Sequence, residues 1–300
     1  MISLLSGAPV QLNETLNTAT SHLTGRQIAS PRLTAELLLM FALNCERSHL
    51  YAHPERELTA TETLRFENAL RERMRGVPTQ YITGHQEFWG LDFLVSPAVL
   101  IPRPETEHLI ETVLELVRAS ETDGQDPPAQ RLSIADVGTG SGCIAVVLAK
   151  EFPQAEVHAI DISAAAIGVA RTNASRHHVD AQIHFHQSDM LSGFQPGFFD
   201  LVVSNPPYVG MSEQAQLQTE VRDFEPHIAL FAGLDGMDVI RRLVPAAHNA
   251  LKPGGFLVME IGSSLAKPVA ELLKPWDSAI VTRDLQSLPR VARARKPGSQ

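Results

Sequence analysis

The chain of 300 residues predicts an α/β fold, a Rossmann-like and mostly parallel sheet, preceded by a small helical domain and a β-hairpin. Three observations carry that expectation. Strand-like and helix-like runs alternate from residue 131 onward, a glycine-rich string sits where the first of those strands meets its helix, and the chain up to Gly76 is helical in period.

Residues 12–76 carry the helical pattern. Pro31 opens a segment in which Leu33, Leu37, Leu38 and Phe41 recur at helical spacing, so these four are expected to form its apolar face. The run 64–74 repeats the habit and stops at Gly76 and Pro78. Arg71, Arg73 and Arg75 alternate near its end, and at i, i+2 and i+4 they spread around a helix, which predicts a solvated surface. Between Tyr81 and Val99 the residues Phe88, Trp89, Leu91, Phe93, Leu94 and Val95 surround Gly90 and Asp92, the pattern of two short strands or a hairpin. The expected organisation is a helical domain over 1–78, a hairpin linker over 79–100 and an α/β domain over 101–300.

Pro104 suits the first turn of a helix in which Ile110, Val113, Leu114 and Val117 make an apolar stripe. A polar stretch, 120–130, contains Gly124, Pro127 and Pro128 and reads as an exposed loop. Runs at 132–137, 143–151, 156–160, 164–174, 183–186 and 199–204 then alternate, which implies parallel strands joined by crossover helices. A helix near 237–251 and a strand at 256–261 extend the pattern, with Lys252-Pro-Gly-Gly as the turn between them.

Composition excludes several classes. Hydrophobic residues at 44 % and charged ones at 20 % are those of a globular chain, and no window approaches the roughly 18 apolar residues of a membrane helix. The stretch 1–10 has no cationic start and no small-residue cleavage site, so it does not read as a secretory signal, and a cytoplasmic protein is expected. Cys45 and Cys143 stand far apart without metal-ligand company and read as small buried residues. Lys plus Arg number 25 against 34 Asp plus Glu, a net charge of −9, the wrong sign for gripping nucleic acid by phosphate neutralisation. His184 and His186 share one strand face but no third ligand is spaced to join them, so no metal is expected.

The string Asp136-Val-Gly-Thr-Gly-Ser-Gly142 lies at a strand-to-helix junction, where Gly138, Gly140 and Gly142, with Thr139 and Ser141 between them, let a ligand approach the backbone. A dinucleotide fingerprint would place its third glycine at position 143, which is Cys143. A nucleoside without a pyrophosphate fits the spacing better, which favours S-adenosylmethionine over NAD. Asp161 follows the second strand, where a carboxylate accepts from both ribose hydroxyls; Ser188, Asp189 and Met190 follow the third, where Asp189 can meet an adenine amino group and Met190 cover its face. Three consecutive strand ends thus present ligand-type residues on one edge.

After the fourth strand comes Ser204-Asn205-Pro206-Pro207-Tyr208. Two prolines fix two φ angles and push Asn205 into an extended conformation. A planar amino group carrying two hydrogens suits this loop: the Asn205 oxygen and the Pro206 carbonyl each accept one N–H, pinning the nitrogen for an in-line methyl transfer, with Tyr208 as an aromatic wall. Arg103, followed by Glu105 and Glu107, reads as an inter-element salt bridge in preference to a substrate clamp, and Glu260 ends the strand at 256–261 without an assigned task.

At these residues the chain resembles the release factor glutamine methyltransferases of the PrmC/HemK type. The likeness runs through the helix that starts Pro31-Arg-Leu-Thr-Ala-Glu, Tyr81-Ile-Thr-Gly, Glu87-Phe-Trp-Gly, Ile101-Pro-Arg-Pro-Glu-Thr-Glu107, the glycine loop, Asn205-Pro-Pro-Tyr208, Arg222-Asp-Phe-Glu-Pro226 and Asp284-Leu-Gln-Ser-Leu-Pro-Arg290. It implies a class I S-adenosylmethionine-dependent methyltransferase domain with a seven-stranded sheet, and a helical N-terminal domain that helps recognise the substrate protein. The implied acceptor is the glutamine amide in the Gly-Gly-Gln loop of bacterial peptide chain release factors, with S-adenosylhomocysteine as the other product. Gly138 to Gly142 and Asp161 are implied to bind the donor, Asn205 to face donor and acceptor, and Asn205, Pro206, Pro207 and Tyr208 to hold the glutamine. Several members carry Trp after the third-strand Asp where this chain has Met190. A glutamine on a ribosomal protein or an adenine amino group in DNA or RNA remain alternative acceptors. A monomer that touches neither membrane nor nucleic acid is expected.

Overall fold

Residues 11–122 and 131–298 are described here by a computed structural model. Of the stretch 120–130 that reads as an exposed loop, residues 120–122 instead continue the helix that starts at Glu107, and 123–130, like 1–10, lie outside the described residues.

By its contacts the chain divides into two units, residues 1–85 with 218–224, and 86–217 with 225–300. In the first, helices α1 (Leu12–Gly25), α2 (Pro31–Leu43), α3 (Arg47–Ala52), α4 (Ala60–Met74) and α5 (Thr79–Thr83) enclose a core of Leu12, Leu16, Leu23, Leu38, Leu39, Phe66 and Leu70. Thr59 starts α4 with a reciprocal cap, its hydroxyl accepting from the Glu62 amide while Glu62 accepts from Thr59 N–H. Residues 81–83 are helical and not the start of a strand, because Pro78 fixes a helix start and Gly84, at φ +81°, ends it.

Two expectations about this unit are corrected. The buried side of α2 is Ala35, Leu38, Leu39 and Ala42, while Leu33 and Leu37 are 45 % and 36 % exposed. The polar Thr34 and Glu36 are buried instead: Glu36 takes hydrogen bonds from Arg32, Arg47 and Tyr51, so a carboxylate with three donors occupies a place the apolar count gave to leucine. Arg73 is buried, held by Glu220 at 2.6 Å and by the Val77 carbonyl, whereas Arg71 and Arg75 sit on the surface as expected. Glu220 lies on α9 (Thr219–Phe224), nearly 150 positions along the chain in a stretch that helical spacing near Arg73 does not reveal.

The second unit begins with a hairpin, β1 (His85–Phe88) and β2 (Leu91–Leu94), then a 3-10 turn at Pro104–Thr106 that leads into α6 (Glu107–Thr122). Strands β3 (Ser133–Val137), β4 (Glu156–Asp161), β5 (Ile183–Gln187) and β6 (Phe199–Ser204) alternate with α7 (Cys143–Glu151) and α8 (Ala164–Arg176). After α9 come α10 (His227–Leu230), α11 (Asp238–Ala250), β7 (Leu251–Glu260), α12 (Ala266–Leu272), β8 (Asp277–Arg283) and β9 (Pro289–Arg295). The seven-stranded sheet has the order β5-β4-β3-β6-β7-β9-β8, parallel except where β9 pairs with β7 and β8.

Alternate side chains of each strand serve opposite faces. Ile134, Val157 and Leu201 meet α6 and α7, while Ala135, Val137, Val202 and Leu257 meet α11 and α12. Lys252-Pro-Gly-Gly is not a turn before the strand but an irregularity within β7: its pairing with β6 jumps from Phe199↔Leu251 to Leu201↔Phe256. The hairpin is sewn to α8 by Asn173, whose Oδ1 accepts from Leu94 N–H and whose Nδ2 donates to the Leu94 and Ser141 carbonyls.

Leu38→Ala is expected to cost about 2–5 kcal/mol in denaturant unfolding, as for a fully buried leucine, and Leu33→Ala less than about 1 kcal/mol. Equal losses would put the buried face of α2 elsewhere.

Candidate functional site

The glycine string is bound to the neighbouring strand before it reaches any ligand. Gly138 and Thr139 both donate to the Ile160 carbonyl, at 2.8 and 3.0 Å, and Gly142 donates back to Thr139 at 2.8 Å. Gly138, Gly140 and Gly142 adopt φ of +76°, +54° and +80°. At Gly142 a side chain has no room, since a Cβ would lie 2.9 Å from that of Ala170. Under the loop, Asp136 is fully buried; it accepts from the Thr139 hydroxyl at 2.6 Å and from the Ala145 N–H in the first turn of α7 at 3.1 Å. Its other carboxylate oxygen is buried without a hydrogen-bond partner. Burial pushes this carboxyl up to about 7, against the pull of the two donors.

Parallel register carries β3, β4 and β6 to the same edge, with Val137 opposite both Ile160 and Ser204. The ends of β3 to β6 open on one cavity of about 280 Å³, near the lower bound of small-molecule sites. Gly138, Thr139, Gly140, Ser141, Asp161, Asp189, Met190, Asn205, Pro206 and Pro207 all line it, so the structure brings together nearly every residue singled out in the sequence. Asp161 is held by Gly140 N–H at 3.0 Å and Ser163 N–H at 2.8 Å, one on each oxygen. A carboxylate has about four acceptor positions, so two remain for a diol. Asp189 pairs with Arg242 of α11 at 2.5 Å through one oxygen, and both residues line the cavity. Those donors and acceptors, with the glycines that keep side chains out of the turn, fit the ribose and adenine of a nucleoside.

Asn205, Pro207 and Tyr208 are half-buried and Pro206 is buried. The Ser204 hydroxyl fixes the strand end by donating to the Val137 carbonyl at 2.6 Å. Beyond the prolines the loop is stitched to the end of α10 and the residues that follow it: Val209 donates to the Leu230 carbonyl and accepts from Ala232 N–H, each at 2.9 Å. Asn205 Nδ2 donates to Thr106 Oγ1 at 3.0 Å. Tyr208 stands outside the cavity lining, and its hydroxyl donates to Glu260 at 2.9 Å. Its ring rests against Gly262, where a Cβ would come within 3.2 Å of Tyr208 Cδ2. Burial raises the Tyr208 phenol, and the neighbouring Glu260 charge and hydrogen bond raise it further. Burial also raises the Glu260 carboxyl, while hydrogen bonds from Thr106 and Tyr208 and the charge of Arg290 lower it.

Sequence reasoning missed Thr106 and left Glu260 without a task. Thr106 was present inside Ile101-Pro-Arg-Pro-Glu-Thr-Glu107, but its partners lie 99 and 154 positions away. Arg103 does form an inter-element salt bridge, yet its partner is Glu225 and not a flanking carboxylate; Glu225 also accepts from Ile101 N–H. Glu107 instead accepts from Trp89 N–H at 2.9 Å. His184 and His186 face His158, which parallel pairing sets opposite His184. The ring centroids of His184 and His186 lie 5.1 and 5.2 Å from that of His158. Burial drives His158 down to about 4, so it is neutral. None of the three lines the cavity, and among the described residues no group of three or more His, Cys, Asp or Glu is placed to hold a metal ion.

Residues 14–84 match the family model of the PrmC N-terminal domain, and residues 125–222 that of the methyltransferase small domain. A Release factor glutamine methyltransferase of Koribacter versatilis is 54 % identical over 96 % of this chain and 99 % of its own length. One from Chlorobaculum tepidum is 46 % identical over 92 % of this chain and 94 % of its own. Among solved structures, the hMettl16 catalytic domain in complex with MAT2A 3'UTR hairpin 6 superposes with a TM-score of 0.55 at 15 % identity, over 78 % of this chain and 83 % of that one, which is a likeness of fold.

Asp136 gives a prediction with a definite sign. Its folded pKa is raised from 3.8 to about 7, so the folded state binds the extra proton and this group's contribution to stability falls as pH rises from about 4 to 7. Asp136→Asn is expected to melt above the parent at pH 8, with the difference shrinking as pH is lowered below about 7. A difference independent of pH would contradict the buried carboxylate.

Proposed function

Since the chain belongs to the release factor glutamine methyltransferases, we propose that it methylates the side-chain amide of the glutamine in the Gly-Gly-Gln motif of bacterial peptide chain release factors. S-adenosylmethionine is the donor of this enzyme class, and it supplies an electrophilic methyl group on a cationic sulfur and leaves as S-adenosylhomocysteine. Gly138 to Ser141 and Gly142 shape its seat, Asp161 takes the ribose, and Asp189 and Met190 take the adenine.

The observation that carries the reading is the state of Asn205. Its NH₂ is committed to Thr106, which leaves the amide oxygen as the group offered at the cavity edge. A glutamine nitrogen is a poor nucleophile because its lone pair is delocalised into the carbonyl. Asn205 Oδ1 and the Pro206 carbonyl each accept one of its N–H groups, which orients the nitrogen and polarises it toward a developing positive charge. The nitrogen then sheds a proton that has become acidic, so no strong base is required. Pro206 and Pro207 hold this geometry stiff, and Tyr208, anchored through its hydroxyl, supports the loop from behind.

The net charge of −9 supports a protein acceptor over a nucleic acid, whose phosphates such a chain repels. Among the described residues no helix is long and apolar enough to cross a membrane, in keeping with work beside the translation machinery in the cytoplasm. The helical unit helps to recognise the substrate protein, and the enzyme acts as a monomer.

Asn205→Ala is expected to lower kcat on a release factor by about 10²- to 10³-fold, with donor affinity retained by calorimetry. Turnover near the parent's would refute the pinned-amide chemistry. Asp161→Ala is expected to weaken donor binding by about 1–3 kcal/mol, and unchanged affinity would remove its ribose role.

A further inference from the structure

We propose that Thr106 and Glu260 are positioning residues that set which way round the Asn205 amide sits, and hence which of its atoms meets the substrate nitrogen. The proposal rests on the reading of Asn205 as acceptor for the glutamine. Both residues are 1 % exposed, and they come from distant parts of the chain: the 3-10 turn before α6 and the last position of β7.

Hydrogen-bond polarity fixes the orientation of the amide. Both Glu260 oxygens accept in this structure, and a hydroxyl has one hydrogen to give. Tyr208 spends its hydrogen on Glu260 Oε1 at 2.9 Å, and Thr106 spends its own on Glu260 Oε2 at 2.6 Å. Thr106 Oγ1 therefore turns lone pairs toward Asn205, and only the NH₂ half of that amide can lie against it, as it does at 3.0 Å. Reversing the amide would set oxygen against oxygen at that same 3.0 Å separation. Oδ1 is thereby fixed as the free acceptor. Glu260 takes no part in lining the cavity; it acts at one remove, as the terminal acceptor that gives the chain its direction.

The test is steady-state kinetics on a release factor with Thr106→Val, Thr106→Ser, Glu260→Gln and the double variant Thr106→Val/Asn205→Ala, each checked by melting temperature. Thr106→Val keeps the shape but loses the acceptor, and Glu260→Gln must present an N–H to one of the two hydroxyls. Each is expected to lower kcat by about 10- to 100-fold, as for a reacting group displaced by about 1 Å, with KM for both substrates within about twofold. Thr106→Ser restores the hydroxyl and is expected to turn over within about threefold of the parent. The double variant is expected to be no slower than Asn205→Ala alone, since both changes disable one amide. Parent-like kcat in both Thr106→Val and Glu260→Gln, or losses that multiply in the double variant, would overturn the proposal. Failure of the underlying reading is seen separately, in Asn205→Ala.

Discussion

Two hydrogen bonds to one carbonyl hold the site together. Gly138 and Thr139 both donate to Ile160, so the turn after β3 is fastened to the end of β4 before any ligand arrives. From that attachment the other positions follow. Gly140 comes within 3.0 Å of Asp161, Gly142 starts α7 against Ala170, and the parallel register with β6 brings Ser204 level with Val137. The ligand-type side chains at four strand ends can then share one cavity. In open α/β sheets that edge is where ligands bind, and here the fastening is made by backbone atoms, which no side-chain substitution removes.

Beneath this edge the structure relies on buried carboxylates, each with its own donors. Asp136 serves the glycine turn and the first turn of α7, Glu225 takes Arg103 and Ile101 N–H, and Glu260 takes Thr106 and Tyr208. Burying such groups is costly unless they are hydrogen-bonded, and each bond fixes a segment that sequence order leaves far away. Asp284 does the same at the turn between β8 and β9, accepting from Gln286 N–H, Leu288 N–H and the Arg290 guanidinium. Burial in low dielectric and preorganised direction go together, because a buried amide or hydroxyl cannot turn without losing its partner.

Much of this was legible in the sequence. Strand ends, the glycine turn, Asp161, Asp189, Met190 and the Asn205-Pro-Pro-Tyr208 loop are local features, and their period and turn chemistry place them without reference to distant residues. What could not be read are relations across the chain. The buried face of α2 departs from its leucine count because Glu36 found three donors, and Arg73 is buried because Glu220 reaches it. The hydroxyl of Tyr208 is given to Glu260, a partner 52 positions away, and the residue stands outside the cavity lining. Thr106, Glu260 and His158 acquire their roles only through register and long-range pairing, which periodicity does not encode.

The most direct test of the account is the position of the transferred methyl group. Incubating the parent protein with S-adenosylmethionine and, in parallel, a release factor, a ribosomal protein and nucleic acid, followed by tandem mass spectrometry, locates any net gain of one CH₂. The account predicts that gain on the side-chain amide of the Gly-Gly-Gln glutamine of the release factor. A methyl group found only on another glutamine or on an adenine amino group would contradict it.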